Sequence, residues 1–338
     1  MGHEEPRLPK IEIFIAISEG PMKRSGQSSI DLSVNVAGIE FPNPLLLASG
    51  ICDETGASMA EVVRNGAGGV VTKSLSLEPR NGHPNPSVVE LPYGIINAMG
   101  LPNPGIETYR DEISSYLELT GGSHPIIASV FGSSIDEYAE AASLVSGTGV
   151  SAIEINGSCP NAKGLGLQFG QDPDVIRELV RAVKGSVNIP VMFKLTPNTT
   201  DITVLARAAQ EGGADGVVAI NTLQAMKIDI HARRPILTNV TGGLSGPAIM
   251  PVGVRCVHAI ASDPEMKIPV IGVGGISSYE DVLEYMMAGA SLVQVGTAVT
   301  WEDLGVFSKM ETGLRRFLEE KNVSDIRELI GAALEERG

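Results

Sequence analysis

Three cysteines in 338 residues, Cys52, Cys159 and Cys256, are too few and too scattered for a disulfide framework or a cysteine-based metal site. An unpaired remainder favours a reduced, cytosolic setting. Basic residues are also short, 25 against 40 acidic, for a formal net charge of −15. That excludes a broad cationic surface for nucleic acid or anionic membrane. A small anionic ligand, which needs only one or two local cations, stays open. No apolar run approaches the roughly 18 residues of a membrane span, and "IEIFIAI" near the start sits in acidic surroundings unlike a signal peptide. The five histidines form no metal-like group, so no metal is expected. There is no "GxxxxGK[ST]", and no "GxGxxG" follows the first strand, which speaks against a nucleotide bound in P-loop or dinucleotide-fold style.

What the chain does have is glycine, 39 residues of it, and 43% apolar residues. From residue 30, "DLSVNV", "AG" and "IEF" read as a small β-hairpin. A unit then repeats: a short β-branched run ending in polar or glycine residues, followed by a helical stretch. The runs are "LLLASG" (45–50), "GGVVTKS" (68–74), "PIIASVFG" (125–132), "AIEINGS" (152–158), "PVMFKLT" (190–196), "GVVAINT" (216–222), "PVIGVGG" (269–275) and "LVQVGT" (292–297). "DPDVIRELVRAVKG" shows the helical part, with an Asp172 cap, Pro173 at the first position and glycine at the end.

Eight such units predict an α/β fold of the (β/α)8 TIM-barrel type, with an open doubly wound sheet as the alternative. Polar residues gather at the strand C-termini, where such barrels keep their active sites. The hairpin is expected to close the opposite end. Connections at 75–104, 159–171 and 223–246 are long enough to be lids or substrate walls at the mouth. Residues 1–29 read as an N-terminal extension without assigned function, and 30–338 as a single barrel domain.

The seventh and eighth strands end in "GVGGI" and "VGTA". Gly274, Gly275, Gly296 and Thr297 suit a phosphate held by backbone N–H groups and helix N-termini. The "TGGLSGPA" turn (241–248) adds a third such place. Lys73 and Lys194 lie at or near the ends of apolar strands. An inward lysine implies an anion nearby, because a lone buried ammonium is costly. Asn97, Asn156, Asn161 and Asn221 offer amides that both donate and accept, which suits a flat, heteroatom-rich ring such as a pyrimidine or flavin.

Taken together, "NGSCPN" (156–161), "INAMGLPNPG" (96–105), "VTKS" (71–74), "NTLQAMKIDI" (221–230), "RRPILTNVTGGLSGPAI" (233–249) and "GVGGISSYEDVLEYMMAGASLVQVGTA" (272–298) resemble the class 1 dihydroorotate dehydrogenases, most closely the class 1B, NAD-linked catalytic subunit. The resemblance implies FMN at the barrel mouth and oxidation of dihydroorotate to orotate in pyrimidine (UMP) synthesis. It makes Cys159 the base and sets Lys73 against both substrate and flavin. Asn97, Asn156, Asn161, Asn221 and Thr222 would hold the substrate ring, with Met99, Gly100 and Leu101 at its carboxylate. Ala48, Ser49, Gly50 and Ser74 would line the flavin together with Lys73, Asn97, Asn156 and Ile220. Lys194 would sit by the flavin ring, and Ser245, Gly246, Gly274, Gly275, Gly296 and Thr297 on its phosphate side.

It further implies a cytoplasmic homodimer and a separate electron-transfer subunit carrying FAD and a [2Fe–2S] cluster, with fumarate as another acceptor. One position departs from the family's usual pattern: Gly157 stands where an apolar residue is common. "GLGLQFGQDPDVIRELVRAV" and "KLTPNTTDITVLARAAQEGGADGV" also resemble the flavin domain of dihydropyrimidine dehydrogenase, which keeps reduction of uracil-like rings as an alternative. A flavin-free lyase using Lys194 as a Schiff base and a non-catalytic barrel are the others.

Overall fold

The structure, a computed structural model, describes residues 30–157 and 170–334. Eight parallel strands close into a barrel: Leu45–Leu47, Gly69–Val71, Ile126–Val130, Ala152–Asn156, Val191–Leu195, Gly216–Ala219, Val270–Val273 and Ala290–Val295. They follow one another around the ring in chain order, the eighth pairing with the first through Val293 to Leu45 and Val295 to Leu47. The closed ring rules out the open sheet. The first seven strands are shorter than the runs that announced them, because the polar and glycine ends of those runs have already left the sheet; the eighth is as long as its run but begins two residues earlier, at Ala290.

Nearly every strand residue is buried. Strands covered by helices outside and by packed side chains inside are continuously apolar, which is why they stood out in the sequence. The helices present one stripe inward. In Pro173–Ser186 the stripe is Ile176, Leu179, Val180 and Val183, and the Asp172 side chain accepts hydrogen bonds from the N–H groups of Asp174 and Val175. That helix runs one residue past Gly185 and ends at Val187 in extended backbone rather than on glycine.

The predicted hairpin is Val34–Val36 with Ile39–Phe41, turning through Ala37 and Gly38 at positive φ. Phe41 lies against the start of the second barrel strand, where a Cβ added at Gly69 would come 3.4 Å from its ring. The hairpin is therefore at the N-terminal end of the barrel.

At the other end two of the long connections do more than cover the mouth. Val88–Leu91 and Gly94–Asn97 come from the loop after the second strand. Leu223–Ala225 and Gly242–Ser245 come from the loop after the sixth. Together they form one four-stranded antiparallel sheet. Asn97 is opposite Gly243 in it, and Leu244 is opposite both Ile96 and Leu223. A Cβ on Gly243 would lie 2.0 Å from Thr222 Oγ1, so glycine is what lets that strand approach the Thr222 turn.

Candidate active site

Beneath this sheet, at the C-terminal ends of the barrel strands, lies a cavity of about 690 Å³, a normal size for a ligand site. Every predicted site residue within the described part of the chain lines it: Ala48, Ser49, Gly50, Lys73, Ser74, Asn97, Met99, Gly100, Leu101, Asn156, Lys194, Ile220, Asn221, Thr222, Ser245, Gly246, Gly274, Gly275, Gly296 and Thr297. Cys159 and Asn161 lie outside the described residues.

A polar seam crosses the mouth. Ser74 Oγ is 2.8 Å from Ser129 Oγ and 3.4 Å from Ser49 Oγ. Asn156 donates to Ser74 Oγ at 3.0 Å, and Asn221 donates to Asn156 Oδ1 at 3.4 Å. The Tyr138 hydroxyl fixes the end of the fourth strand by donating to the Asn156 carbonyl at 2.8 Å. At the Asn221 end of this seam, Asn198 donates to Thr196 Oγ1 and to the Thr222 carbonyl and accepts from the Gln224 N–H. One side chain thus clamps the turn that carries Asn221 and Thr222. The Met99–Leu101 turn is held by Arg80, whose Nε donates to the Gly100 carbonyl at 2.7 Å. Gly100 and Leu101 both have left-handed backbone. For leucine that costs about 1 kcal/mol and is tolerated where the surroundings enforce it.

The two lysines are each matched by a carboxylate of the protein itself. Lys194 Nζ donates to Gln294 Oε1 at 3.0 Å and lies 3.4 Å from Glu154 Oε1. Gln294 Nε2 donates to Glu154 Oε2 at 2.6 Å and closes the triangle. All three are buried, on the fifth, eighth and fourth strands, and form the cavity floor. Lys73 Nζ is 3.6 Å from Asp53 Oδ1 and 3.4 Å from Glu54 Oε1. Burial pushes the Asp53 carboxyl up, and the ammonium of Lys73 pulls it partly back. The anion that each inward lysine was expected to need is therefore already in the fold. Among the described residues, the buried side-chain oxygens left without a hydrogen bond are Asp53 Oδ1 and Glu154 Oε1, the atoms that face these lysines.

Sequence reasoning missed Glu154, Gln294, Asn198 and Asp53. A glutamate inside the apolar run "AIEIN" was the available signal for the first. The others sit in contexts that read as ordinary strand or turn.

The glycine-rich turns leave main-chain donors open, whereas the helix that follows the seventh strand does not. The backbone N–H groups of Gly274, Gly275, Gly296 and Thr297 have no acceptor among the described residues. A Cβ on Gly275 would lie 2.6 Å from Met250 Cβ and 2.8 Å from the Gly246 carbonyl, so the backbone there is packed as only glycine allows. The helix after the seventh strand, Tyr279–Met287, does not offer its N-terminus to a ligand. Ser278 and Asp281 cap it, and Asp281 Oδ2 also accepts from the Ser277 and Ser278 N–H groups. Free N–H groups on glycine-rich turns, an ammonium at the floor and amides around the wall fit a phosphorylated heterocycle such as FMN. Among the described residues no cluster of His, Cys, Asp or Glu could hold a metal ion.

The dihydroorotate dehydrogenase family model matches residues 31–318. The chain belongs to that family. It is 49% identical over 303 residues to the dihydroorotate dehydrogenase B (NAD+) catalytic subunit of Pyrococcus abyssi, covering 90% of this chain and 99% of that one. The subunits of the same name from Thermococcus kodakarensis and Methanocella arvoryzae are each 48% identical. They cover 90% and 89% of this chain and 98% and 97% of their own. Similarity of this extent marks a class 1B catalytic subunit, in a family of FMN-dependent oxidoreductases. Among the described residues no helix is long and apolar enough to cross a membrane.

Proposed function

We propose that this chain oxidises (S)-dihydroorotate to orotate in pyrimidine synthesis. The observation that carries the reading is the convergence of the predicted residues, taken from seven of the eight strand ends and from the paired cap loops, on one cavity floored by a charge-matched lysine. FMN, when bound, supplies the acceptor for the hydride that leaves C6 of the substrate.

The chain's own residues do the rest. The C5 hydrogen is α to a carbonyl and only weakly acidic, so a base must be held against it. We assign that role to Cys159, whose unperturbed pKa of about 8.5 gives a useful thiolate fraction near neutral pH. Lys73 stabilises charge that develops on the ring carbonyl. Asn97, Asn156, Asn161 and Asn221, with Thr222, orient the ring, and the Met99–Gly100–Leu101 turn meets its carboxylate. Lys194 keeps a fixed positive charge at the floor because Gln294 and Glu154 hold it there. The phosphate lies against Ser245, Gly246, Gly274, Gly275, Gly296 and Thr297, with Ala48, Ser49, Gly50, Ser74 and Ile220 along the flavin.

The paucity of cysteine fits a cytoplasmic enzyme. It works as a homodimer and passes electrons to NAD through a second subunit carrying FAD and a [2Fe–2S] cluster. The deciding experiment is anaerobic mixing of the FMN-loaded protein with dihydroorotate. Rapid loss of the oxidised-flavin absorbance is expected, and dihydrouracil, which lacks the carboxylate, should bleach it far more slowly. An unchanged spectrum with dihydroorotate overturns the proposal. Faster bleaching by dihydrouracil would move the substrate to the uracil series.

A further inference from the structure

The loop at 48–55 joins the first barrel strand to helix Gly56–Arg64 and carries a carboxylate that the proposed reaction leaves without a task. Asp53 is fully buried. Its Oδ2 accepts the Gly50 N–H at 2.5 Å, and its Oδ1 faces Lys73 Nζ across 3.6 Å with no hydrogen bond of its own. Its backbone carbonyl accepts from the Tyr109 hydroxyl, on helix Ile106–Thr120. From the same helix Glu112 accepts from the Gly56 N–H at 2.7 Å, so that helix fastens the loop's C-terminal end at two points. The other titratable or charged groups facing the pair are Glu54, 3.4 Å from Lys73 but 64% exposed, Cys52, Tyr109 and Glu112. A fully buried carboxylate with one bare oxygen is costly unless a cation stands beside it. Lys73 is that cation.

We propose that Asp53 is a positioning residue: a single carboxylate holds the Lys73 ammonium at the cavity wall with one oxygen and pins the Gly50 turn with the other. The loop that lines the cofactor side and the lysine on the next strand are thereby set together. What Lys73 does in turnover rests on the function proposed above, but the pair itself does not.

Asp53→Asn separates pairing from loop structure. The amide has one acceptor oxygen, and the Gly50 N–H claims it. The NH2 group then points at the ammonium, donor against donor, and Lys73 is driven from its seat. Amine labelling of the FMN-free protein, with Lys73 read by mass spectrometry against the other lysines, should run about tenfold faster in this variant, the size expected for groups in direct contact. Glu54→Gln should change it little, because an exposed partner contributes little. Unchanged Lys73 labelling in folded Asp53→Asn, or an equal gain in Glu54→Gln, overturns the proposal.

Should Asp53→Asn fail to fold, Lys73→Met reads the same pair from the other side. Asp53 is then buried alone, its folded pKa rises further above the unfolded one, and the penalty appears only where it must ionise. The Tm gap to the natural protein should be wide at neutral pH and close as pH falls towards about 4. A gap that ignores pH overturns the proposal. Failure of dihydroorotate to bleach the natural holoenzyme would refute the function while leaving both of these measurements decisive for the pair.

Discussion

Replacing Gly157 with alanine tests how closely the fourth and fifth strands pack beneath the cavity. A Cβ at that position would lie 2.6 Å from Phe193 Cζ, 3.3 Å from Cε2 and 3.4 Å from the Gly170 Cα. Phe193 is fully buried, next in sequence to Lys194, so its ring has little freedom to retreat. Overpacking of a closed core costs about 1–3 kcal/mol. For a chain of 338 residues, the usual unfolding entropy per residue converts each kcal/mol into about 1.4 °C, so Tm should drop by about 1–4 °C. The same strain acts on the strand that carries Lys194, and the variant should also hold FMN less tightly. Phe193→Leu removes the clashing atoms at the expense of packing. The double variant should therefore be more stable than the sum of the single changes predicts, by about 1 kcal/mol. Calorimetry on the four proteins decides it. An unchanged Tm in Gly157→Ala, or strictly additive effects, would show that the glycine is not there to admit the ring.

Glu154→Ala leaves Lys194 buried with only Gln294 as partner and should cost about 3–5 kcal/mol; a loss below about 1 kcal/mol in thermal or denaturant unfolding would remove the pair from the stability argument. Cys159→Ala should keep its FMN yet reduce its flavin with dihydroorotate at least about 100-fold more slowly, the scale of a lost general base. Cys159→Ser should keep part of the rate, and full activity in the alanine variant at neutral pH would take the cysteine out of the mechanism. Stripping FMN should lower Tm, since a ligand at about 1,000 times its Kd adds about 4 kcal/mol; coincident melts with and without FMN would mean that the cavity does not hold it.

The barrel was legible because its strands are buried on both faces and so read as apolar blocks, each ending where the chain emerges at the mouth. The terminal hairpin was legible from the Ala37–Gly38 turn. The cap sheet was not. Its strands are short, two of them begin in glycine, and the ladder that joins its two halves, Gly94–Asn97 with Gly242–Ser245, spans more than a hundred residues, so no local periodicity reports it. Lys73 and Lys194 could be found as cations at or near the ends of apolar strands. Each lysine needs an anion, and Glu154 and Asp53 supply it from within the protein before any ligand does. Glu154 could have been found by the same reasoning that found Lys194, as a charge inside a strand. Asp53 could not, because "CDETG" reads as a polar turn before a capped helix, and only the tertiary contact with Tyr109 draws it into the interior.

The ladder between Asn97 and Gly243 has a mechanical meaning. Two arms rooted on opposite sides of the rim are stitched into one plate, so neither can swing aside alone without tearing main-chain bonds. Ligands must pass around the edge of that plate or wait for it to lift whole. A change of shape in one arm is also felt by the other, which ties the evolution of the two segments together even though they are far apart in the chain.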